Sequence, residues 1–150
     1  MQEKEKQIFE DIESLVRDNK DRDEILKEIV KVLKENFSYY TWVGIYLLEK
    51  NELVLGPFLG KPSFHMRIKL DKGICGAAAR GKKTVIVPDV NADPRYLACS
   101  LETKSEIVVP IMKGEKVFGE IDIDSDKPDA FGENDKKLLE KIAEILVEIF

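Results

Sequence analysis

The chain has 150 residues, of which 43% are hydrophobic and 35% charged, with a formal net charge of -5. That length and apolar content exclude a disordered chain and allow a packed core, and the mixed, slightly acidic charge carries no basic stripe for nucleic acid. No apolar run approaches the roughly 18 residues of a membrane span, and the opening "MQEKEKQIFE" is too polar for a signal peptide, so a cytoplasmic protein without a membrane partner is expected. Lys and Glu dominate the charge, a balance found in proteins from hot habitats, which points to a thermophile source. In chain order, Ile8, Ile12, Leu15 and Val16 recur at i, i+4, i+7 and i+8 and predict a helix over 3–18. "DNKDRDE" interrupts it, and Leu26, Ile29, Val30 and Leu33 then share one face of a second helix, with Asp21 and Glu24 spaced as its capping box. "YYTWVGIYLL" (39–48) and "NELVLGPFLG" (51–60) predict two strands joined by a tight polar turn at 49–51. "FHMRIKL" (64–70) predicts a third strand, "GICGAAARG" (73–81) a short helix of small residues, and "TVIV" (84–87) a short strand. Residues 88–103, which hold Pro88, Pro94 and Cys99, form a long irregular stretch of the kind that is usually either functional or disordered. "SEIVVPIM" and "EKVFGEIDIDS" predict a second hairpin about Lys113 and Gly114, and a last helix runs over 133–149. The expected class is α+β: an antiparallel sheet with helices packed on one side, residues 1–150 forming a single domain in which helices within 1–37 precede a 38–150 core.

Side chains alternate across a strand, so the last strand sorts into two chemistries. Val117, Gly119, Ile121 and Ile123 share one face; Phe118, Glu120, Asp122 and Asp124 share the other. In the strand before it, Glu106, Val108 and Pro110 share a face, so Glu106 is placed to join the acidic row. If the first strand turns Trp42 and Tyr46 to the same side, a pocket results with aromatic walls, a gap at Gly44 and carboxylates at one end. Such a pocket suits a small cation or zwitterion, because carboxylates hold ammonium by charge-assisted bonds and an indole face attracts a cation. The competing reading is an ordinary wet sheet face with solvated acids and core aromatics.

The two cysteines, Cys75 and Cys99, leave several roles open. A lasting disulfide is unlike a cytoplasmic protein. Cys99 as a small buried filler remains open, although its loop is polar. A metal site is not expected, since Cys75, Cys99 and His65 offer no CxxC pair and too few ligands at defined spacing. Cys99 as a nucleophile needs a thiolate and a proton donor, which Glu106 or an Asp of the row supplies if burial raises its pKa. Cys75 would then be a resolving thiol.

The runs "TWVGIYLL", "LVLGPFLGKP", "KGICGAAA", "VPDVNADPRYLACSLETKSEIVVPI" and "GEIDIDS" resemble the free methionine-(R)-sulfoxide reductases, enzymes with the GAF fold, over roughly residues 38–150. "LACS" seven residues ahead of the Glu, joined to "DIDS" and "TWVGIY", carries the specific part of that resemblance. It implies a central antiparallel sheet with N- and C-terminal helices on one face and a ligand pocket on the other. Cys99 matches the catalytic cysteine that attacks the sulfoxide sulfur, releases methionine and becomes a sulfenic acid. Glu106, Asp122 and Asp124 match the acids that bind the substrate amino group and assist protonation of its oxygen, and Trp42 and Tyr46 match aromatic pocket residues. Backbone N–H groups near Cys99 would receive the substrate carboxylate. The resemblance calls for no cofactor, and it implies a homodimer recycled by thioredoxin or another thiol reductant. Some members carry a third cysteine ten residues before the one in "GICG"; here that position is His65, so either Cys75 resolves the Cys99 sulfenate, or an external thiol does and Cys75 is a helix-packing residue. Two rival readings are a non-catalytic, small-ligand-binding GAF sensor module and a thiol redox switch formed by Cys75 and Cys99.

Overall fold

The computed structural model describes residues 1–97 and 101–150. Its strands are β1 (Trp42–Glu49), β2 (Glu52–Leu59), β3 (Arg67–Lys69), β4 (Val85–Val87), β5 (Ser105–Lys113) and β6 (Lys116–Ser125). They form one sheet in the order β3-β2-β1-β6-β5-β4, every neighbouring pair antiparallel. Two hairpins follow from local turn chemistry. Lys50 sits at φ 57 between β1 and β2, where Glu49 pairs with Glu52. Gly114 sits at φ 60 between β5 and β6, where Lys113 pairs with Lys116. A positive φ in a two-residue loop matches the right-handed twist of the strands it joins. The second turn is therefore Gly114–Glu115, one residue later than expected, because Lys113 is still in the ladder. The central pairing of β1 with β6 joins segments far apart in sequence, and it sets Trp42 opposite Asp124, Gly44 opposite Asp122 and Tyr46 opposite Glu120.

One face of this sheet is apolar. Val43, Ile45, Ile107, Val109, Ile111, Ile121 and Ile123 meet the buried stripes of α1 (Glu3–Asp18), α2 (Arg22–Asn36) and α4 (Glu133–Leu146) in a single core. Each fully buried aliphatic side chain there contributes about 1.5–3 kcal/mol. Asp21 caps α2 by accepting from the N–H groups of Asp23 and Glu24 at 3.0 and 3.5 Å. Glu24 makes no reciprocal bond among the described residues, so the expected capping box is one-way. At α4, Asp135 Oδ2 accepts from the Gly132 N–H at 2.9 Å, and its Oδ1 accepts from the hydroxyls of Tyr39 and Tyr40 at 2.5 and 2.6 Å. The last helix ends at Leu146 and tightens into a 3-10 turn over Val147–Ile149.

The helices do not all lie on that face. α3 (Gly73–Gly81) packs against β5 and β6 from the opposite side, where Trp42, Tyr46, Ile74, Cys75, Ala78 and Val108 belong to a second cluster. Gly76 lets the helix sit close on the turn that precedes it: a Cβ there would lie 2.7 Å from the Leu70 carbonyl oxygen. Strand β3 is only three residues long, so His65 precedes it rather than lying in a strand. Residues 88–103 begin with a 3-10 turn at Val90–Ala92, which the Lys104 carbonyl holds by accepting from the Val90 N–H at 2.9 Å.

Candidate active site

On β6, alternation sends Ile121 and Ile123 into the apolar core and Glu120, Asp122 and Asp124 to the α3 side. The acids are nevertheless buried, at 0%, 3% and 4% exposure. Strand β5 adds Glu106 opposite Asp124, also buried. Strand β1 adds Trp42 and Tyr46 by the register given above. Helix α3 adds Cys75, whose thiol donates to Asp122 Oδ2 at 3.4 Å. Six of the seven residues expected at the site, Trp42, Tyr46, Cys75, Glu106, Asp122 and Asp124, thus lie on one face. The seventh, Cys99, lies outside the described residues.

Two clefts open on this face. One is lined by Tyr46, His65, Cys75, Leu97, Glu106 and Asp122 among others. The second is lined by Trp42, Lys61, Glu102, Thr103, Asp124 and Asp126 among others. Leu97 and Leu101 flank the segment that holds Cys99 in the sequence, and Leu97 and Glu102 line these clefts. Positions 65 and 75, one a histidine and one a cysteine here, line the same cleft.

The aromatic walls are held by backbone. The Trp42 indole N–H donates to the Lys61 carbonyl at 3.0 Å, and the Tyr46 hydroxyl donates to the His65 carbonyl at 2.8 Å. The expected gap at Gly44 is not open. A Cβ there would collide with the Trp42 ring, which folds back over its own strand and stacks on Phe58 with centroids 5.7 Å apart. Gly60, at φ +130, flanks the same ring; a Cβ there would stand 2.6 Å from Trp42 Cδ1. The glycines therefore make room for the indole rather than for a ligand. Lys61 also ties the 60–66 segment to the loop after Cys99, through an ion pair with Glu102 at 3.0 Å.

Burial sets the electrostatics. It pushes Glu120 and Asp124 well above the ordinary carboxylate range, and the neighbouring Asp122 charge adds to both. Burial also raises Asp122, against the opposing effect of hydrogen bonds from Glu106 and Cys75. The Cys75 thiol is pushed well up by burial first, then by Asp122, Glu120 and Glu106. Among the described residues, no Lys or Arg forms an ion pair with Glu120, Asp122 or Asp124. A face of this kind holds protons on acids, ready to give up, and welcomes an incoming cation. Its donor set also differs from the one weighed on sequence: Cys75 Sγ, a Glu106 oxygen and an Asp122 oxygen lie within 4.8 Å of one another, and His65 is not among them. Glu120 was visible in the same alternation as Asp122 yet was not counted as a site residue. Lys61 carried no signal, since its role rests on its backbone carbonyl and on contacts across the fold.

The GAF domain family model matches residues 21–148. The chain belongs to the GAF domain family. It is 42% identical over 140 residues to "GAF domain-containing protein A" of Dictyostelium discoideum, covering 93% of this chain and 87% of that one. It is 50% identical over 109 residues to the free methionine-R-sulfoxide reductase of Saccharomyces cerevisiae, spanning 70% of this chain and 60% of that enzyme. The X-ray structure of free methionine-R-sulfoxide reductase from Neisseria meningitidis, in complex with its substrate, matches with a TM-score of 0.92 at 39% identity over 97% of this chain and 87% of that chain. Within the GAF proteins, this chain belongs to the free methionine-R-sulfoxide reductase family. No helix among the described residues is long and apolar enough to cross a membrane.

Proposed function

We propose that this chain reduces free methionine-(R)-sulfoxide to methionine, with the Cys99 thiolate as nucleophile. The sulfur of Cys99 attacks the sulfoxide sulfur, and a carboxylic acid of the row protonates the departing oxygen. Oxygen passes to Cys99 as a sulfenic acid, so the cysteine is oxidised by two electrons and the substrate leaves reduced as methionine. Glu106, Asp122 and Asp124 take the roles of ammonium binders and proton donors, and Trp42 and Tyr46 wall the substrate. The observation that carries the reading is the buried row of Asp122 and Asp124 with Glu106 beside those aromatics, with no Lys or Arg paired to either aspartate among the described residues. It supports a zwitterion whose ammonium supplies the missing positive charge. The relatives named for this activity, one of them captured with its substrate, support the same choice.

Recycling takes two thiols. The first condenses with the sulfenic acid, releasing water and leaving a disulfide; the second reduces that disulfide. A buried Cys75 with a raised pKa is a slow attacker, which favours thioredoxin or another external thiol over Cys75 for the first step. The reading also takes residues 1–150 as a single cytoplasmic domain from a heat-adapted source. It takes the chain as a homodimer built partly on α1 and α2. Deleting residues 1–18 should lower the sedimentation coefficient to that of a monomer; an unchanged value counts against that interface.

The deciding assay is methionine release with dithiothreitol from free R-sulfoxide, free S-sulfoxide and a peptide-bound sulfoxide. Turnover of the free R form alone is expected, and Cys99→Ser should reduce it by a factor of about a thousand or more. Retained turnover in Cys99→Ser sinks the mechanism. No turnover of any form by folded, reduced protein leaves a ligand-binding GAF module as the better account.

A further inference from the structure

We propose that Cys75, Glu106 and Asp122, backed by Glu120, form a binding site for a thiophilic divalent cation of the Zn²⁺ class. Three elements deliver the donors: Cys75 from α3, Glu106 from β5 and Asp122 from β6. One ligand atom of each lies within 4.8 Å of the others, and all three residues are buried. Zinc takes thiolate sulfur at about 2.3 Å and carboxylate oxygen at about 2.0–2.2 Å in a tetrahedron, so a sulfur and an oxygen ligand stand roughly 3.6 Å apart. Cys75 Sγ and Asp122 Oδ2 are already 3.4 Å apart.

The second, independent observation is Glu120. It is 0% exposed, and among the described residues its carboxylate has no partner outside the proposed site, the Cys75 thiol being the one group that bonds to it; Asp122 Oδ1 is likewise buried and without a partner among those residues. Glu120 lies two residues from Asp122 on the same face of β6, and its charge bears on the Cys75 thiol. Unpartnered buried acceptors of this kind are costly, and a divalent cation satisfies several at once. The donor set selects the ion. A thiolate among carboxylates suits Zn²⁺ and its relatives, whereas Mg²⁺ and Ca²⁺ take oxygen ligands. The narrow cleft that Cys75, Glu106 and Asp122 line gives access. Cation binding stands without reference to turnover. Its consequence, competition with the ammonium of the substrate for Glu106 and Asp122, rests on the reductase reading.

The test uses the full chain carrying Cys99→Ser, which leaves Cys75 as the sole thiol, and Co²⁺ as the probe. One equivalent of Co²⁺ should give a thiolate-to-cobalt charge-transfer band in the near ultraviolet, displaced by Zn²⁺ and not by Mg²⁺. Adding Cys75→Ser should abolish the band, and adding Asp122→Asn should weaken cobalt affinity about tenfold or more. Absence of the band in folded Cys99→Ser protein overturns the site. An unchanged affinity in the Asp122→Asn protein also overturns it, and that arm stands alone if Cys75→Ser does not fold. In the wild-type chain, loss of the reductase activity with the band intact in Cys99→Ser protein sinks the reductase reading and leaves the cation site standing.

Discussion

Ile121 and Asp122 are neighbours on β6, and both are buried, at 0% and 3% exposure. They face opposite sides of one sheet, and burial does opposite things to them. On the helix-covered side, moving an aliphatic side chain out of water is the main favourable term of folding. On the α3 side, the same desolvation penalises charge, so Asp122, Asp124, Glu120 and Cys75 are all driven toward their protonated forms. The apolar face holds the fold together; the acidic face is held in place by it, at a cost in stability. That asymmetry is what a binding site needs. Groups that are uncomfortable in the empty fold gain most when a ligand of complementary charge arrives.

The comparison is sharpest between Ile123 and Asp124. Ile123→Ala should cost about 2–5 kcal/mol of stability, read as a large fall in Tm, with turnover by the remaining folded protein close to wild type at low temperature. Asp124→Asn should do the reverse. Tm should hold or rise, while kcat/KM for free methionine-(R)-sulfoxide falls about 10- to 100-fold, the loss expected for a charged hydrogen bond worth about 1.5–3 kcal/mol. Equal losses of Tm in the two variants would break the division of labour between the faces.

Much of this division was legible in the sequence because a strand's period of two needs no tertiary information. The alternation in "FGEIDID" separates Ile121 and Ile123 from Glu120, Asp122 and Asp124 without any knowledge of the sheet. The helices of the ends were equally plain from the spacing of Ile8 and Ile12, or of Leu138, Leu139 and Ile142. What stayed hidden was set by contacts between distant segments. The side to which β1 turns Trp42 depends on its pairing with β6, some eighty residues downstream, which no hairpin rule predicts. Gly44 looked like an opening because the rotamer of Trp42, which fills that space, is decided by Phe58 and by the Lys61 carbonyl. The side taken by α3 is set by its packing on β5 and β6, and composition alone pointed to no side. Glu120 was overlooked because its neighbour at the same register, Tyr46, marks it as sheet interior only once β1 and β6 are paired.

Glu120 also provides the smallest and most diagnostic effect. Its unfolded pKa is about 4.3, and its folded pKa lies well above the usual range because of burial, with the Asp122 charge adding to it. Between those two values the folded chain holds a proton that the unfolded chain has lost. Stability therefore falls as pH rises through that window, by up to about 1.4 kcal/mol per pH unit for one group, and the penalty is fully present above the folded pKa. Glu120→Gln removes the ionisation and keeps the shape. Its Tm should match wild type near pH 4 and exceed it increasingly toward neutral pH, so that the two curves diverge as pH rises. The other two acids of the row remain, so the slope should flatten rather than vanish. Parallel curves for the two proteins across pH 4 to 8 would mean that Glu120 ionises in the folded protein as freely as in water, and the contrast between the faces would then rest on Asp122 and Asp124 alone.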